Sequence, residues 1–187
     1  MVESPGSWGP LAALIGTWEG AEGVDVSYAH GPDASRESRF RERVAFEPFG
    51  PVENGAQVLY GLDYRMTAHR LGEDEPFHME VGYWLWDADA GQVMRCFMVP
   101  RGTTVMAIGS ADADAREFTL EAESGRSTNG ILSNPYLDRA ARTTRYRVDV
   151  SIGADGAWAY DELTELAMAG QPEPYAHTDR NRLRRVG

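Results

Sequence analysis

The sequence predicts an all-β fold, an antiparallel up-and-down β-barrel of about ten strands with a short N-terminal helical turn. Apolar and polar residues alternate with a period of two along most of the chain, which is typical of strands with one buried face. Short segments rich in glycine, aspartate and proline separate these strands, as expected for neighbouring strands joined by hairpins. A closed barrel uses such strands without leaving a sheet edge, and a β-sandwich is the alternative.

The first half of the chain begins with the helical turn, expected over Pro10–Ile15, where small and apolar residues follow a proline. The strands expected after it are Trp18–Ser27, Arg39–Phe46, Val58–Met66, His78–Trp86 and Gln92–Val99. In the second of these, arginine at 39, 41 and 43 alternates with apolar residues, which indicates a solvated strand face. In Val58–Met66 the even positions are apolar or aromatic, while Asp63 and Arg65 belong to the other face.

The second half of the chain continues the same pattern. The strands expected here are Thr103–Gly109, Glu117–Glu123, Arg145–Ile152 and Trp158–Met168, and a last strand carries His177 at its end. Segments 87–91, 100–102 and 153–156 are expected as short connecting loops. The longest irregular segment, Ser124–Ala141, is long enough to lie across a barrel mouth. No internal repeat or linker divides the chain, so we expect a single domain over residues 1–187.

Composition and charge restrict the classes of partner. All 18 basic residues are arginine, and with 29 acidic residues the formal net charge is −11. This balance repels phosphate backbones and anionic lipid surfaces, so neither nucleic acid nor a membrane is expected as a partner. The single cysteine, Cys96, is expected to pack in the core, and it permits no internal disulfide, which favours a reducing, cytoplasmic location. Residues 1–14 have no basic start and only a short apolar segment, so no signal peptide is expected.

Two motifs at opposite ends of the chain carry a resemblance to a known family. Gly16-Thr17-Trp18-Glu19-Gly20, preceded by Leu11–Leu14, resembles the opening of the nitrobindin family, the haem-binding relatives of fatty-acid-binding proteins. The segments Phe77–Tyr83 and Gly130–Ser133 are similar to the middle of that family, and Leu166–Met168 followed by His177 is similar to its ending. The resemblance covers nearly the whole chain.

The resemblance implies a function. It implies a β-barrel that holds one ferric haem b at its mouth, binds nitric oxide and isomerises peroxynitrite to nitrate. By the same resemblance His177 is the axial ligand of the iron, with Asp179 or a backbone carbonyl as acceptor for its other ring nitrogen. Met168 and His78 are further cofactor-binding candidates, and an apolar pocket is expected opposite His177. The methionines available to line that pocket are Met66, Met79, Met94, Met98 and Met168.

The chain also departs from the family pattern. Glu22 stands where the family opening has its last glycine, which is displaced here to Gly23, and a carboxylate at that position would crowd or repel haem propionates. The segment that follows is also unlike the family, with a longer loop over Ala29–Ser35. These departures favour a haem-free carrier of a small apolar ligand as the alternative function. A barrel reused for an unrelated ligand is a third alternative, since one fold serves many functions.

Other features indicate structural roles. Trp18 is expected to plug one end of the barrel beneath a guanidinium from Arg184 or Arg185. Residues Asp179, Arg180 and Asn181 are expected to form a latch of hydrogen bonds that fixes the chain end. Asp161, Glu162 and Glu165 are expected as outward or rim charges, with a paired-carboxylate hydrolase as the other possibility. The strand Val93–Val99 is apolar at nearly every position, which suits a homodimer.

Overall fold

A computed structural model describes residues 5–29 and 35–186, which form a closed barrel of eleven strands preceded by a 3₁₀ helix. The 3₁₀ helix spans Pro5–Leu14. The strands are β1 Gly16–Tyr28, β2 Ser35–Asn54, β3 Gln57–Arg70, β4 His78–Asp87, β5 Gln92–Val99, β6 Thr103–Ser110, β7 Glu117–Ser124, β8 Gly130–Ser133, β9 Ala141–Ile152, β10 Trp158–Met168 and β11 Tyr175–Arg185. One α-helix, α1, spans Pro135–Ala140. The predicted barrel is confirmed.

The segment expected to be irregular, Ser124–Ala141, contains the extra strand and the α-helix. Strand β8 lies between β7 and β6, parallel to β7 and antiparallel to β6, so the sheet is not purely up-and-down. Helix α1 begins because Asn134 caps it, accepting hydrogen bonds from the backbone N–H groups of Tyr136 and Leu137 at 2.8 and 3.0 Å. The predicted loop over Ala29–Ser35 lies mostly outside the described residues.

One end of the barrel is closed by the 3₁₀ helix and by Trp18. Leu11 and Leu14 of the helix are fully buried, and the Trp18 indole N–H donates a hydrogen bond to the carbonyl of Leu14 at 2.7 Å. The Arg185 guanidinium lies 4.9 Å from the centre of the Trp18 ring. The predicted plug and its cation–π partner are therefore present, and the partner is Arg185.

A bulge in β1 accounts for the displaced glycine of the opening motif. The pairing of β1 with β2 shifts between Gly20 and Gly23, so one extra residue enters the strand. Glu22 is exposed within this bulge, and the expectation that it crowds a bound ligand is wrong. Gly23 returns to the barrel interior, where a Cβ would lie 2.6 Å from the Phe40 ring, so only glycine fits.

The other end of the barrel is a mouth. The strands that end at this mouth include β1, β5, β7 and β10, and those that begin there include β6, β9 and β11. Helix α1 lies beside the mouth. Inward positions are odd on β5 and β11, as the burial of their side chains shows. On β10 the even positions from 158 to 166 line the cavity, and on β9 the even positions face inward from Tyr146 onward, after a register shift. Within the described residues, no helix has the length and apolar character needed to cross a membrane.

Candidate functional site in the barrel cavity

The barrel encloses a cavity of about 420 Å³, which is in the size range of small-molecule sites. Its lining comes from the inward faces of most strands together with α1. The lining combines aromatic rings with ionisable groups, and the acidic and basic residues among them are Asp25, Glu42, Arg70, His78, Glu80, Arg95, Arg101, Glu162, His177 and Asp179. A barrel interior with so many charges is not a simple apolar pocket.

Arg95 is the centre of the largest buried ion-pair network. Its guanidinium lies 2.6 Å from a carboxylate oxygen of Glu80 and 2.8 Å from one of Glu162. Two tyrosine hydroxyls complete the shell, since Tyr64 donates to Glu80 at 2.7 Å and Tyr146 donates to Glu162 at 2.6 Å, while both also contact Arg95. These short charge-assisted hydrogen bonds satisfy both carboxylates.

Aromatic rings surround the same guanidinium. Its central carbon lies within 4.5 to 5.6 Å of the ring centres of Phe97, Trp84, Tyr64 and Tyr146. Desolvated cation–π contacts of this kind add to the ion pairs in holding Arg95 inside the barrel. Arg95 faces inward because it shares the parity of Val93, Phe97 and Val99 on β5, all of which are buried.

Glu42 is a second buried carboxylate, held by neutral donors rather than by a cation. Tyr160 donates to it at 2.8 Å and the Asn181 amide donates at 2.9 Å. Asn181 also accepts from the backbone N–H of Arg182 at 2.8 Å, so it is the residue that latches the last strand. Arg180 is exposed and Asp179 makes no such bond among the described residues, so the predicted three-residue latch is reduced to Asn181.

His177 lies near the mouth and is paired with Asp25. Its Nε2 atom is 2.7 Å from Asp25 Oδ1, across 152 residues of sequence. Ser27 and Ser38 donate to the other oxygen of Asp25 at 2.9 and 3.2 Å. The partner of the imidazole is therefore Asp25, not Asp179 or a backbone carbonyl as expected.

Asp179 stands between two other carboxylates. The sheet register places it directly opposite Asp25 on β1 and directly opposite Glu162 on β10. All three side chains line the cavity, and like charges at directly opposed positions repel each other. Asp25 has His177 as a hydrogen-bond partner and Glu162 has Arg95 as a counter-ion, whereas no described residue forms a hydrogen bond or ion pair with Asp179.

The pKa values of these groups reflect their partners. Burial raises the pKa of Glu42 to about 7, against the opposing hydrogen bonds from Asn181 and Tyr160. Burial together with the carboxylates of Glu162 and Glu42 raises the pKa of Asp179 well above its usual value. Burial acts in the same direction on Glu80, but the Arg95 charge outweighs it and lowers the pKa of Glu80 to about 2.

The two histidines differ in their partners. The Nε2 atom of His78 lies 3.1 Å from a carboxylate oxygen of Glu80. Burial alone would lower the pKa of His78, but the hydrogen bond to Glu80 and the charge of Glu80 outweigh burial and raise the pKa. Burial would raise the pKa of Asp25, but its hydrogen bond with His177 and the adjacent charge lower it. Both histidines are thus positioned by carboxylates at the cavity wall.

His177 and His78 both line the cavity, but not every residue of the predicted site does. Met168 lies at the end of β10, half-buried, and does not line the cavity. Of the other candidate methionines only Met66 lines it, because Met79 and Met98 are exposed and Met94 packs on the outer side of β5. The expectation of an apolar, methionine-lined pocket is wrong.

Glu162 on β10 and Cys96 on β5 also lie differently from what was expected. Asp161 is exposed and Glu165 lies on the outward side near Arg145, as predicted, but Glu162 faces inward and binds Arg95. Cys96 was expected in the core but belongs to the outward face of β5, where it is half-buried. Each difference follows from strand parity, which sends neighbouring residues to opposite faces.

The residues at the mouth fit a haem group. His177 offers an imidazole whose Nε2 is held by a carboxylate, the arrangement that orients metal-binding histidines in proteins. Apolar and aromatic side chains line the same region, namely Phe40, Phe77, Leu137 and Leu166. Two guanidinium groups, of Arg70 and Arg101, line the cavity as well and suit the propionates of such a group.

Comparisons with known proteins agree with this geometry. The family model described as a THAP4-like, heme-binding beta-barrel domain matches residues 7–185. The crystal structure of Rv2717c from M. tuberculosis is similar in fold, with a TM-score of 0.65 and 23% sequence identity over 98% of this chain and 99% of that chain. A search of curated proteins finds no match.

Proposed function

Because the chain belongs to the family of THAP4-like, heme-binding beta-barrel domains, the nitrobindin family, we propose that its cavity binds one ferric haem b. The observation that carries this proposal is the His177 imidazole at the cavity wall, oriented by a buried carboxylate. We propose His177 as the axial ligand of the iron, with His78 on the wall of the same cavity. Met168 is left out of the proposed site because it does not line the cavity.

Asp25 has a defined part in this proposal. It accepts a hydrogen bond from Nε2 of His177, which fixes the tautomer and leaves the second ring nitrogen open to iron. Ser27 and Ser38 hold Asp25 in turn, so the imidazole is oriented through two layers of hydrogen bonds. Arg70 and Arg101 would hold the propionates at the mouth.

The reaction we propose is the conversion of peroxynitrite to nitrate, with nitric oxide as a second ligand. When bound, ferric haem supplies an open coordination position for these small molecules. The chain supplies the binding pocket and excludes bulk water from it. Arg95 directs its terminal nitrogens at Glu80, Glu162 and two tyrosines, so these two nitrogens are already occupied within the protein. Its buried Nε has no hydrogen-bond partner among the described residues.

Stopped-flow mixing with peroxynitrite tests the reaction. Hemin-loaded protein is expected to accelerate peroxynitrite decay at least tenfold over the same concentration of free hemin, with nitrate as the product, because His177 would hold the haem in the cavity. The His177→Ala variant should lose this acceleration, whereas His69→Ala should keep it because His69 does not line the cavity. Equal rates for wild-type protein and free hemin would contradict the proposed reaction.

A haem-free carrier is the second candidate function, and the charged cavity wall favours it. A buried network of Arg95, Glu80 and Glu162 is not required for contact with a flat apolar cofactor. A carrier with this interior would hold a ligand with a polar or charged group rather than a purely apolar one. Identification of a small molecule that co-purifies with the protein would support this candidate.

We also propose a homodimer that buries the outer apolar face, defined as the outward side chains of β4, β5, β6 and β8. Cross-strand pairing makes this face continuous, since Val81 pairs with Met98 and Cys96 pairs with Met106. Its exposed members include Met98 and Tyr83, each 50% accessible, and Leu132 at 74%. These positions carry no charge in a chain with 25% charged residues, which is typical of a surface that is covered by a partner.

Sedimentation equilibrium at micromolar concentration tests the dimer. The Met98→Glu variant is expected to weaken association on the order of a hundredfold, because a two-fold interface would bury the new carboxylate twice. Val186→Glu is the matched control, since Val186 is 53% accessible but follows β11, on the other side of the barrel. A wild-type protein that sediments as a monomer throughout would contradict the proposal.

We further propose a reducing, cytoplasmic location. The chain has a single cysteine, so it contains no internal disulfide that needs an oxidising compartment. Burial raises the pKa of the Cys96 thiol, which keeps it protonated and weakly reactive.

A further inference from the structure

The hydrogen bonds of Asp25 make its buried carboxylate an acceptor for one histidine. The side chain is 6% accessible, and Oδ1 accepts a hydrogen bond from Nε2 of His177 at 2.7 Å. The other oxygen, Oδ2, accepts from the hydroxyls of Ser27 and Ser38 at 2.9 and 3.2 Å. Asp25 is only an acceptor in these three contacts, as an ionised carboxylate is. No arginine among the described residues pairs with Asp25, so its charge acts most directly on the imidazole.

The bulge in β1 turns Asp25 towards the cavity. Before the bulge the buried side chain is that of Trp18, at an even position, whereas after it Asp25 and Ser27 line the cavity at odd positions. The extra residue causes this change of face, because neighbouring residues of a strand point to opposite sides. The same pairing places Ser38 of β2 directly opposite Asp25. The strand register therefore supplies both the carboxylate and the serines that support it.

A second histidine and carboxylate on the cavity wall provide an internal comparison. Nε2 of His78 lies 3.1 Å from Glu80, which is a longer contact than the one between His177 and Asp25. Glu80 also binds the Arg95 guanidinium at 2.6 Å. A carboxylate that is already paired with a full positive charge attracts the proton of an imidazole less strongly. Of the two imidazoles, that of His177 is therefore the one whose partner carboxylate has no guanidinium among the described residues.

We infer that Asp25 is the positioning residue that biases the proposed haem site towards ferric iron. Its carboxylate draws the Nε2 proton of His177 towards itself, which makes Nδ1 of the same ring a more basic and more strongly donating ligand. A donor of this kind favours the ferric over the ferrous state, since the ferric ion carries one more positive charge. The inference rests on the proposed haem function and deepens it, because it assigns control of the oxidation state to a residue of β1.

Ser27 and Ser38 set the strength of this effect. Each hydroxyl that donates to Oδ2 takes up part of the negative charge that Asp25 presents to His177. Removing the hydroxyls therefore strengthens the attraction of Oδ1 for the imidazole proton, whereas removing the carboxylate charge weakens it. The two changes shift the oxidation state in opposite directions. If Asp25 only held the ring in place, loss of the carboxylate charge and loss of the serines would both loosen the ring, and no such opposition would arise.

Spectroelectrochemical titration of the hemin-loaded full-length chain tests the inference. Asp25→Asn keeps the shape of the side chain and an oxygen that accepts from His177, but it removes the charge. We expect this variant to shift the equilibrium at least tenfold towards ferrous iron, which is a rise of about 59 mV in the midpoint potential of a one-electron couple. The iron–histidine stretching band in the resonance Raman spectrum of the ferrous form should move to lower frequency in the same variant.

A variant that carries both Ser27→Ala and Ser38→Ala provides the opposite arm. We expect it to shift the equilibrium at least twofold towards ferric iron. Asp161→Asn is the matched control, since it removes a carboxylate from an exposed position on β10 and should leave the equilibrium unchanged. An unchanged potential in Asp25→Asn, or shifts in the same direction for Asp25→Asn and the serine variant, would overturn the inference.

Hemin titration of the same samples separates this inference from the haem function. A Soret band that saturates in the wild type, with an unchanged potential in Asp25→Asn, would overturn the inference alone. The absence of a saturable band in the wild type would overturn the haem function and this inference with it. If Asp25→Asn does not retain hemin, the serine variant decides, because a shift towards ferric iron supports the inference and no shift overturns it.

Discussion

Replacing Arg95 by methionine is expected to lower the free energy of unfolding at pH 7 by ~3–5 kcal/mol, the cost of removing one partner from a buried ion pair. The guanidinium compensates Glu80 and Glu162, and the Arg95 and Glu80 side chains are only 6% and 2% accessible. Methionine fills a similar volume, so the loss comes mainly from the two carboxylates that remain buried without a cation. Urea denaturation followed by tryptophan fluorescence measures the difference.

The pH dependence of this difference identifies its electrostatic origin. In the wild type the pKa of Glu80 is lowered to about 2 from its usual 4.5, so its contribution to stability is present above pH 4.5 and is lost as the pH falls towards 2. Without Arg95, no cation offsets the burial of Glu80, so the pKa of Glu80 rises. Acidification then protonates Glu80 and removes the energetic cost of its buried charge in the variant. The stability difference should therefore be largest near pH 7 and shrink below about pH 4.5.

A surface arginine provides the matched control. Arg43 pairs with Glu19 on the outside of the barrel, where both side chains are largely exposed. Arg43→Met should change the free energy of unfolding by less than ~1 kcal/mol, as exposed ion pairs contribute little. An Arg95→Met effect below ~1 kcal/mol, or one that is the same at pH 7 and pH 4, would contradict the role of Arg95 as the buried counter-ion.

The barrel itself could be predicted from the sequence because strand periodicity and turn residues are local signals. Strands β5 and β10 have the predicted limits, and the other strands for which limits were predicted are longer than expected. The largest difference is in β2, which spans Ser35–Asn54 instead of Arg39–Phe46. The short strand β8 could not be found, since its four residues pair with β6 and β7, which are distant in sequence. Its existence depends on tertiary pairing rather than on any local pattern.

The candidate site was only partly predictable. His177 was identified through resemblance, but its partner Asp25 lies 152 residues away, and only the closed β1–β11 pairing brings them together. Glu42, Glu80 and Arg95 were missed, although a signal was present. Each shares the parity of buried apolar neighbours on its own strand, so an inward charge could have been read from the alternation.

Replacing His177 by alanine is expected to abolish axial ligation and reduce hemin affinity on the order of a hundredfold, while the barrel stays folded. Asp25 loses one partner in this variant but keeps hydrogen bonds from Ser27 and Ser38. The expected loss of stability is therefore about 1–2 kcal/mol, close to that of one charge-assisted hydrogen bond. Free imidazole should restore the spectrum of the ligated haem in the variant, which a purely structural role of His177 would not explain.

The absorption titration of the purified protein with hemin tests the central claim most directly. The account predicts a Soret band that saturates at one equivalent of hemin in the wild type and in His69→Ala, but is shifted and no longer saturates at one equivalent in His177→Ala. The absence of a saturable band in the wild type, or the same band in His177→Ala, would contradict the assignment of this cavity as a haem site held by His177.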